Sequence, residues 1–163
     1  EKNRALVKYV NEALSVQKKK QQSPGEDDKS ILYNDLDTES SDIDKEYEIN
    51  KQVFQKLDSL IRRDELYLSA DLSREDLVRM AHMNNTRFAK MIKENTGTNL
   101  SGYINELRLN HAIHLLKEHP EYTLRAIAEA SGINSMPTFH SLFKNKTGMT
   151  PSEFKKTQMD MKQ

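Results

Sequence analysis

One pattern restricts the fold of this chain more than any other: a short helix, a tight turn and a second short helix, written twice. In TLRAIAEASGINSMPTFHSLFKNKTG, residues 123–148, two apolar-periodic runs meet across Ser131-Gly132-Ile133-Asn134. Gly132 suits the left-handed backbone that stops the first run. Ala128 and Ala130 are small enough for the next helix to approach closely, and Ile133 plugs the corner. Ser135 is placed to cap the second run. Pro137 is tolerable there only because it falls in the first helical turn. The second run turns Phe139, Leu142 and Phe143 inward and leaves Met136, Thr138, His140, Ser141 and Lys144 outward.

The other copy lies upstream. Ser73, Leu77, Met80 and Met83 match Thr123, Ile127, Ala130 and Ile133 at an offset of 50 residues. Phe88, Met91, Lys93 and Thr96-Gly97 match Phe139, Leu142, Lys144 and Thr147-Gly148 at an offset of 51, so one residue has entered the second turn. Both copies read as helix, turn, helix, Thr-Gly. This is the helix-turn-helix arrangement, in which the second helix enters the DNA major groove.

The elements around the copies are also helical. Tyr47, Val53, Phe54, Leu57, Leu60 and Ile61 predict an amphipathic helix from about Asp44. Ser73 with Asp76 forms a capping-box pattern at the next helix start, and Thr150-Pro151-Ser152-Glu153 repeats the device at the last one. Between the copies, Leu100 to Glu118 reads as one long helix of 19 residues, about 28 Å at 1.5 Å per residue. Successive major-groove faces on one side of a duplex lie about 34 Å apart, so two units on such a rod suit neighbouring grooves. No segment alternates as a strand does, and the body is expected to be all-α.

Charge supports a polyanion-binding body. The formal charge of the 163 residues is zero, but residues 1–20 hold six Lys/Arg against two Glu, residues 26–48 hold ten Asp/Glu against two Lys, and residues 51–163 hold 17 Lys/Arg against 13 Asp/Glu. Leu6, Val10 and Leu14 give residues 1–20 a narrow helical stripe, and residues 21–43 read as an acidic flexible linker. The domain is placed at 44–158, with a tail at 159–163. There is no cysteine, which excludes disulfides and thiolate metal sites, and no apolar run approaches the roughly 18 residues that span a bilayer. The chain opens on Glu1 rather than Met and reads as a piece of a longer protein.

From LSREDLVRMA, KENTGTNLSGYINELRLNHAIHLL, TLRAIAEASGINS and TFHSLFKNKTGMTPSEFKK, in that order, the stretch from about Asp44 to Thr157 resembles the DNA-binding domain of the AraC/XylS family of bacterial transcription regulators. The resemblance implies seven helices: two helix-turn-helix subdomains joined by a long central helix. An extra N-terminal helix and linker precede them here. It also implies a bipartite DNA site, sequence-specific control of transcription, RNA polymerase as a partner, and an upstream sensor domain in the intact protein. Residues upstream resemble the juxtamembrane or linker segment of Bacteroidetes-type sensor-regulators. The expected location is cytoplasmic, the intact protein anchored or not through a segment outside these residues. The first helix either pairs with a copy of itself or is the remnant that follows a sensor.

The candidate contacts follow. In the first unit the outward residues are Asn84, Asn85, Thr86, Arg87, Ala89, Lys90 and Lys93. The family's base-reading positions map onto Thr86, Ala89 and Lys90, flanked by Asn85 and Arg87; Lys90 suits guanine O6 or N7. In the second unit the matching positions are Met136, Pro137, His140 and Ser141. Relatives often place a glutamine and an arginine or lysine where Met136 and Ser141 stand, so the first unit is expected to carry more of the discrimination. Asn84, Lys93, Ser135, Thr138 and Lys144 are the phosphate candidates.

Other features read as structural. Arg108 lies within the apolar rod and suits an ion pair better than DNA. Arg62-Arg63 close a helix C-terminus, while Lys117, Lys155 and Lys156 read as solvated surface, the last two with phosphate contact as the alternative. His111, His114 and His119 share one stretch, but without cysteine, an HExxH pattern or an acidic ligand they do not make a zinc site. No glycine-rich phosphate loop, nucleophile elbow or carboxylate pair appears, so neither an enzyme nor a cofactor is expected. The alternative to DNA reading is a protein-interaction module that uses the helix-turn-helix surfaces and the acidic segment.

Overall fold

In this computed structural model residues 35–161, Ala70 apart, are described, with side chains from Ile43 onward. Among them are seven α-helices and no strand: α1 Asp35–Arg63, α2 Arg74–Ala81, α3 Asn85–Thr96, α4 Leu100–Glu118, α5 Leu124–Ala130, α6 Met136–Thr147 and α7 Pro151–Met161. A 3-10 turn, Leu66–Leu68, links α1 to α2. The all-α expectation therefore holds for the described residues. No helix among them is long and apolar enough to cross a membrane.

The boundaries differ at both ends. The helix expected over residues 1–20 lies outside the described residues. Residues 35–43, expected as linker, are the start of α1. Composition alone hid this. At the other end α7 runs on to Met161.

Two hydrophobic cores sit on one spine. The first collects Leu60 and Ile61 of α1, Leu77 of α2, Phe88 and Ile92 of α3, and Leu107 of α4. The second collects Leu109 and Leu116 of α4, Ile127 of α5, and Phe139 and Phe143 of α6. Phe143 meets Phe139 and the half-buried Phe154 of α7 edge-on, at centroid distances of 5.7 and 5.4 Å. Fully burying each such ring contributes about 1.5–3 kcal/mol from the area term.

Polar caps define the helix starts. Asn84, Asn99 and Thr123 each accept a backbone N–H three residues on, at 2.8, 2.9 and 3.1 Å. At α2, Ser73 Oγ accepts the Asp76 N–H at 3.1 Å and donates to the Asp76 carboxylate at 2.6 Å. At α7 the box is reciprocal: Thr150 N–H donates to Glu153 Oε2 at 2.8 Å, and Glu153 N–H to Thr150 Oγ1 at 3.3 Å. The Thr150 N–H and the Thr150 hydroxyl, which also donates to Oε2 at 2.8 Å, hold the Glu153 carboxyl below its ordinary pKa.

The duplication survives in atomic detail. In α2 the Met83 N–H bonds the Val78 carbonyl and the His82 N–H that of Arg79; in α5 Ile133 bonds Ala128 and Gly132 bonds Glu129. Both are the double-bonded helix stop in which one residue is left-handed. That residue is His82 at φ 50° in the first unit and Gly132 at φ 75° in the second. The caps Asn84 and Ser135 then sit one residue out of step, so Asn134 is the extra residue. Thr96 and Thr147 repeat a further pair of bonds, each donating to the carbonyl four residues back. Two expectations fail: Ala128 is buried, but Ala130 is exposed and does not admit the next helix, and Tyr47 stands exposed on α1 rather than on its apolar face.

Candidate nucleic-acid interface

Each second helix, α3 and α6, presents an outer face whose composition follows from what the inner face must bury. Phe88, Met91 and Ile92 face inward in α3, and this leaves Asn85, Thr86, Ala89, Lys90 and Lys93 exposed, with Asn84 exposed at the cap. Lys90 lies 3.8 Å from Glu94 one turn on, a solvent-facing contact of small worth.

Arg87 departs from the sequence expectation. Its Nε donates to Asn50 Oδ1 at 2.9 Å, and Glu46 Oε1 lies 3.6 Å away. Asn50 is buried, so its oxygen needs this donor. The guanidinium is thus held against α1 rather than offered outward. Periodicity places Arg87 on the correct stripe of α3; it does not show that α1 crosses there.

In the second unit Pro137, Thr138, Ser141 and Lys144 are exposed, as is the cap Ser135. Thr138 Oγ1 donates to Ser135 Oγ at 3.0 Å, so these two phosphate candidates hold each other at the tip of α6. His140 is half-buried, its ring edge-on to Phe139 at 6.1 Å. Met136 also departs from expectation: it is half-buried and packs against the second core rather than standing free. A thioether at the first helical position turns back over the preceding turn, which apolar packing favours. Lys146, unassigned in the sequence, reaches Glu106 Oε1 of α4 at 2.6 Å.

Sequence reasoning missed Arg74. It opens α2, is exposed, and its Nη2 donates to the Asn85 carbonyl at 3.3 Å, which sets a positive charge beside the tip of α3. Its position just inside the Ser73 cap was the available signal, because the first turn of one helix lies next to the start of the other in this motif. The matching position in the second unit is Leu124.

The histidines go to separate partners. His111 lies edge-on to Tyr67 at 6.2 Å, His114 Nε2 is 3.2 Å from Glu118, and His119 stacks on Tyr122 at 4.7 Å with Glu121 3.1 Å from its Nδ1. Arg108 is structural, but through carbonyls where an ion pair was expected: Nε donates to the Tyr67 carbonyl at 2.6 Å and Nη2 to that of Ser69 at 2.9 Å. Burial lowers its pKa, although the group stays charged at any ordinary pH.

Comparison with known proteins agrees with this geometry. Residues 77–157 match the family described as a helix-turn-helix domain. An uncharacterized transcriptional regulatory protein of Bacillus subtilis, YesN, is 39% identical over 80 residues, which are 48% of this chain and 22% of that one. An uncharacterized HTH-type transcriptional regulator of the same organism, YobQ, is 31% identical over 91 residues, 56% of this chain and 37% of that one. A solved transcriptional regulator from Chromobacterium violaceum, described as of the AraC-type DNA-binding domain-containing proteins, superposes with a TM-score of 0.57 at 27% identity, covering 66% of this chain and 93% of its own. The chain spans well under half the length of the two curated relatives.

Proposed function

The chain carries the DNA-binding domain of an AraC/XylS-family transcription regulator, and on that premise we propose that α3 and α6 enter successive major grooves along one side of a duplex. The observation that supports this is the pair of matched units on the α4 spine, each with an exposed second helix capped at its leading end. Thr86, Ala89 and Lys90 read base edges in one groove. Pro137, His140 and Ser141 do so in the other, where Met136 offers only the apolar flank left by its packing. Asn85 joins the first set as an exposed polar tip. Asn84, Lys93, Ser135, Thr138 and Lys144 contact phosphate, as does Arg74. Arg87 acts through α1 and not on a base.

The domain is the output end of a longer, signal-responsive protein that acts beside RNA polymerase at a promoter. The upstream segment brings the signal, and residues 1–20 carry a stripe suited to self-association.

The test is fluorescence anisotropy with a labelled random duplex at low and moderate salt, followed by selection from a random library. DNA reading requires salt-dependent binding to the random duplex and enrichment of a two-part sequence. Absence of binding at low salt favours the alternative, a protein-interaction module.

A further inference from the structure

We propose that Gly132, Arg108 and the main chain of Tyr67–Ser69 form a joint that sets the distance and rotation between the two recognition helices, so that Gly132 and Arg108 decide which half-site spacing is accepted. This deepens the two-groove reading and rests on it.

The two cores change over within α4 at one residue. Leu107 belongs to the first and Leu109 to the second. Arg108, between them, does not reach outward; it donates to the Tyr67 and Ser69 carbonyls, which belong to the first subdomain. The turn of the second helix-turn-helix unit closes on the same place. A Cβ built on Gly132 would lie 2.8 Å from the Leu68 carbonyl oxygen and 3.0 Å from Arg108 Nε. The turn of the second unit therefore meets the Leu68 carbonyl of the first at a glycine, with the Arg108 guanidinium beside the contact.

The duplicated motif supplies an internal control. His82 and Gly132 are equivalent left-handed residues in equivalent turns. The first turn accepts a histidine, exposed to solvent. Positive φ alone therefore does not require glycine at this point of the motif. What distinguishes the second turn is the main-chain carbonyl against it, which cannot swing aside as a side-chain tip can. Two further links between the halves are weaker: Lys146 to Glu106 joins two exposed side chains, where water screens it, and His111 lies edge-on to Tyr67 at 6.2 Å.

A shift at this joint turns α6 about the axis of α4 relative to α3. Inserting one base pair between half-sites moves the second by about 3.4 Å and about 35°. A stiff joint cannot follow such a move, and a loosened one can.

The experiment takes a two-part sequence selected by the full 163-residue chain and builds duplexes with the spacer one or two base pairs shorter or longer. Affinities are measured by anisotropy for the native chain, Gly132→Ala and Arg108→Met, each checked by circular dichroism for the native helix signal. Arg108→Met keeps the apolar stem, removes both donors and carries the test if Gly132→Ala does not fold. For the native chain each one-pair change should cost about tenfold, the scale of one mismatched pair. In the variants the preferred spacing should move, or that penalty should shrink to about threefold. Folded variants that weaken at every spacing by one common factor overturn this inference alone. A selection that yields a single half-site, or none, overturns the two-groove reading and this inference with it.

Discussion

Arg87 illustrates how the neighbour, and not the helical stripe, decides what a side chain does. Its first-turn position on α3 points toward a base contact, yet its Nε satisfies the buried oxygen of Asn50, 37 residues away in the chain. Removing the guanidinium orphans that oxygen at a cost of about 1–3 kcal/mol. Arg87→Met should lower the urea midpoint accordingly, and adding Asn50→Leu should restore part of the loss, because the pair is then replaced by apolar atoms. The duplex sequence selected by Arg87→Met should equal that of the native chain. A changed sequence would return Arg87 to the base-reading set. Phe139 lies at the opposite extreme, fully buried and ringed by Phe143 and His140. Phe139→Ala should cost about 3–5 kcal/mol of unfolding free energy, measured in urea; a loss under about 1 kcal/mol would mean the second core repacks freely.

At the level of elements, capping sets where α4 and α7 begin, and therefore where the spine and the last helix point. Asn99 Oδ1 accepts the Gly102 N–H at 2.9 Å. Asn99→Ala should destabilise by about 1 kcal/mol, a shift of roughly 2–4 °C in the thermal midpoint for a chain of this size. The Glu153 box adds a pH dependence. Its carboxyl pKa is lowered by the Thr150 backbone and hydroxyl bonds, so its contribution is present above the unfolded carboxyl pKa and is lost as pH falls through the lowered folded value. The stability gap between the native chain and Glu153→Gln, followed by urea titration, should therefore be open at neutral pH and close in acid. A gap independent of pH removes the charged cap from the account. The starts of α2 and α7 were legible because Ser-x-x-Asp and Thr-Pro-x-Glu are local signals completed within four residues. The two units were legible because their repeat carries its own register check. What the chain did not disclose were contacts made by packing alone: Met136 folded back on the second core, Ala130 turned to solvent, and Arg108 bonded to carbonyls 39 and 41 residues upstream. Residues 35–43 were missed for a different reason, since an acidic run without apolar spacing carries the same composition in a helix as in a linker.

For the whole molecule, a formal charge of zero says little about its affinity for a polyanion. The field at a groove is set by charges within about one Debye length, roughly 10 Å at 0.1 M salt, and the acidic segment counts only as far as α1 brings it close. Glu46 beside Arg87 shows that α1 does bring one carboxylate to the first recognition helix. Lys93 and Lys144, matched positions in the two units and both exposed, are the proposed phosphate anchors, set a turn behind the proposed base-reading residues. Each phosphate neutralised contributes a slope of about −0.9 to log affinity against log salt. Replacing both lysines with glutamine should flatten that slope by about 1.8 units, measured by anisotropy between about 50 and 200 mM salt. The same substitutions should weaken random and selected duplexes by similar factors, because a phosphate contact carries no sequence information. If the slope is unchanged, neither lysine reaches the backbone. If it flattens by only half as much, only one of the two units is seated on DNA, and the second helix-turn-helix is then held on the spine for some purpose other than reading.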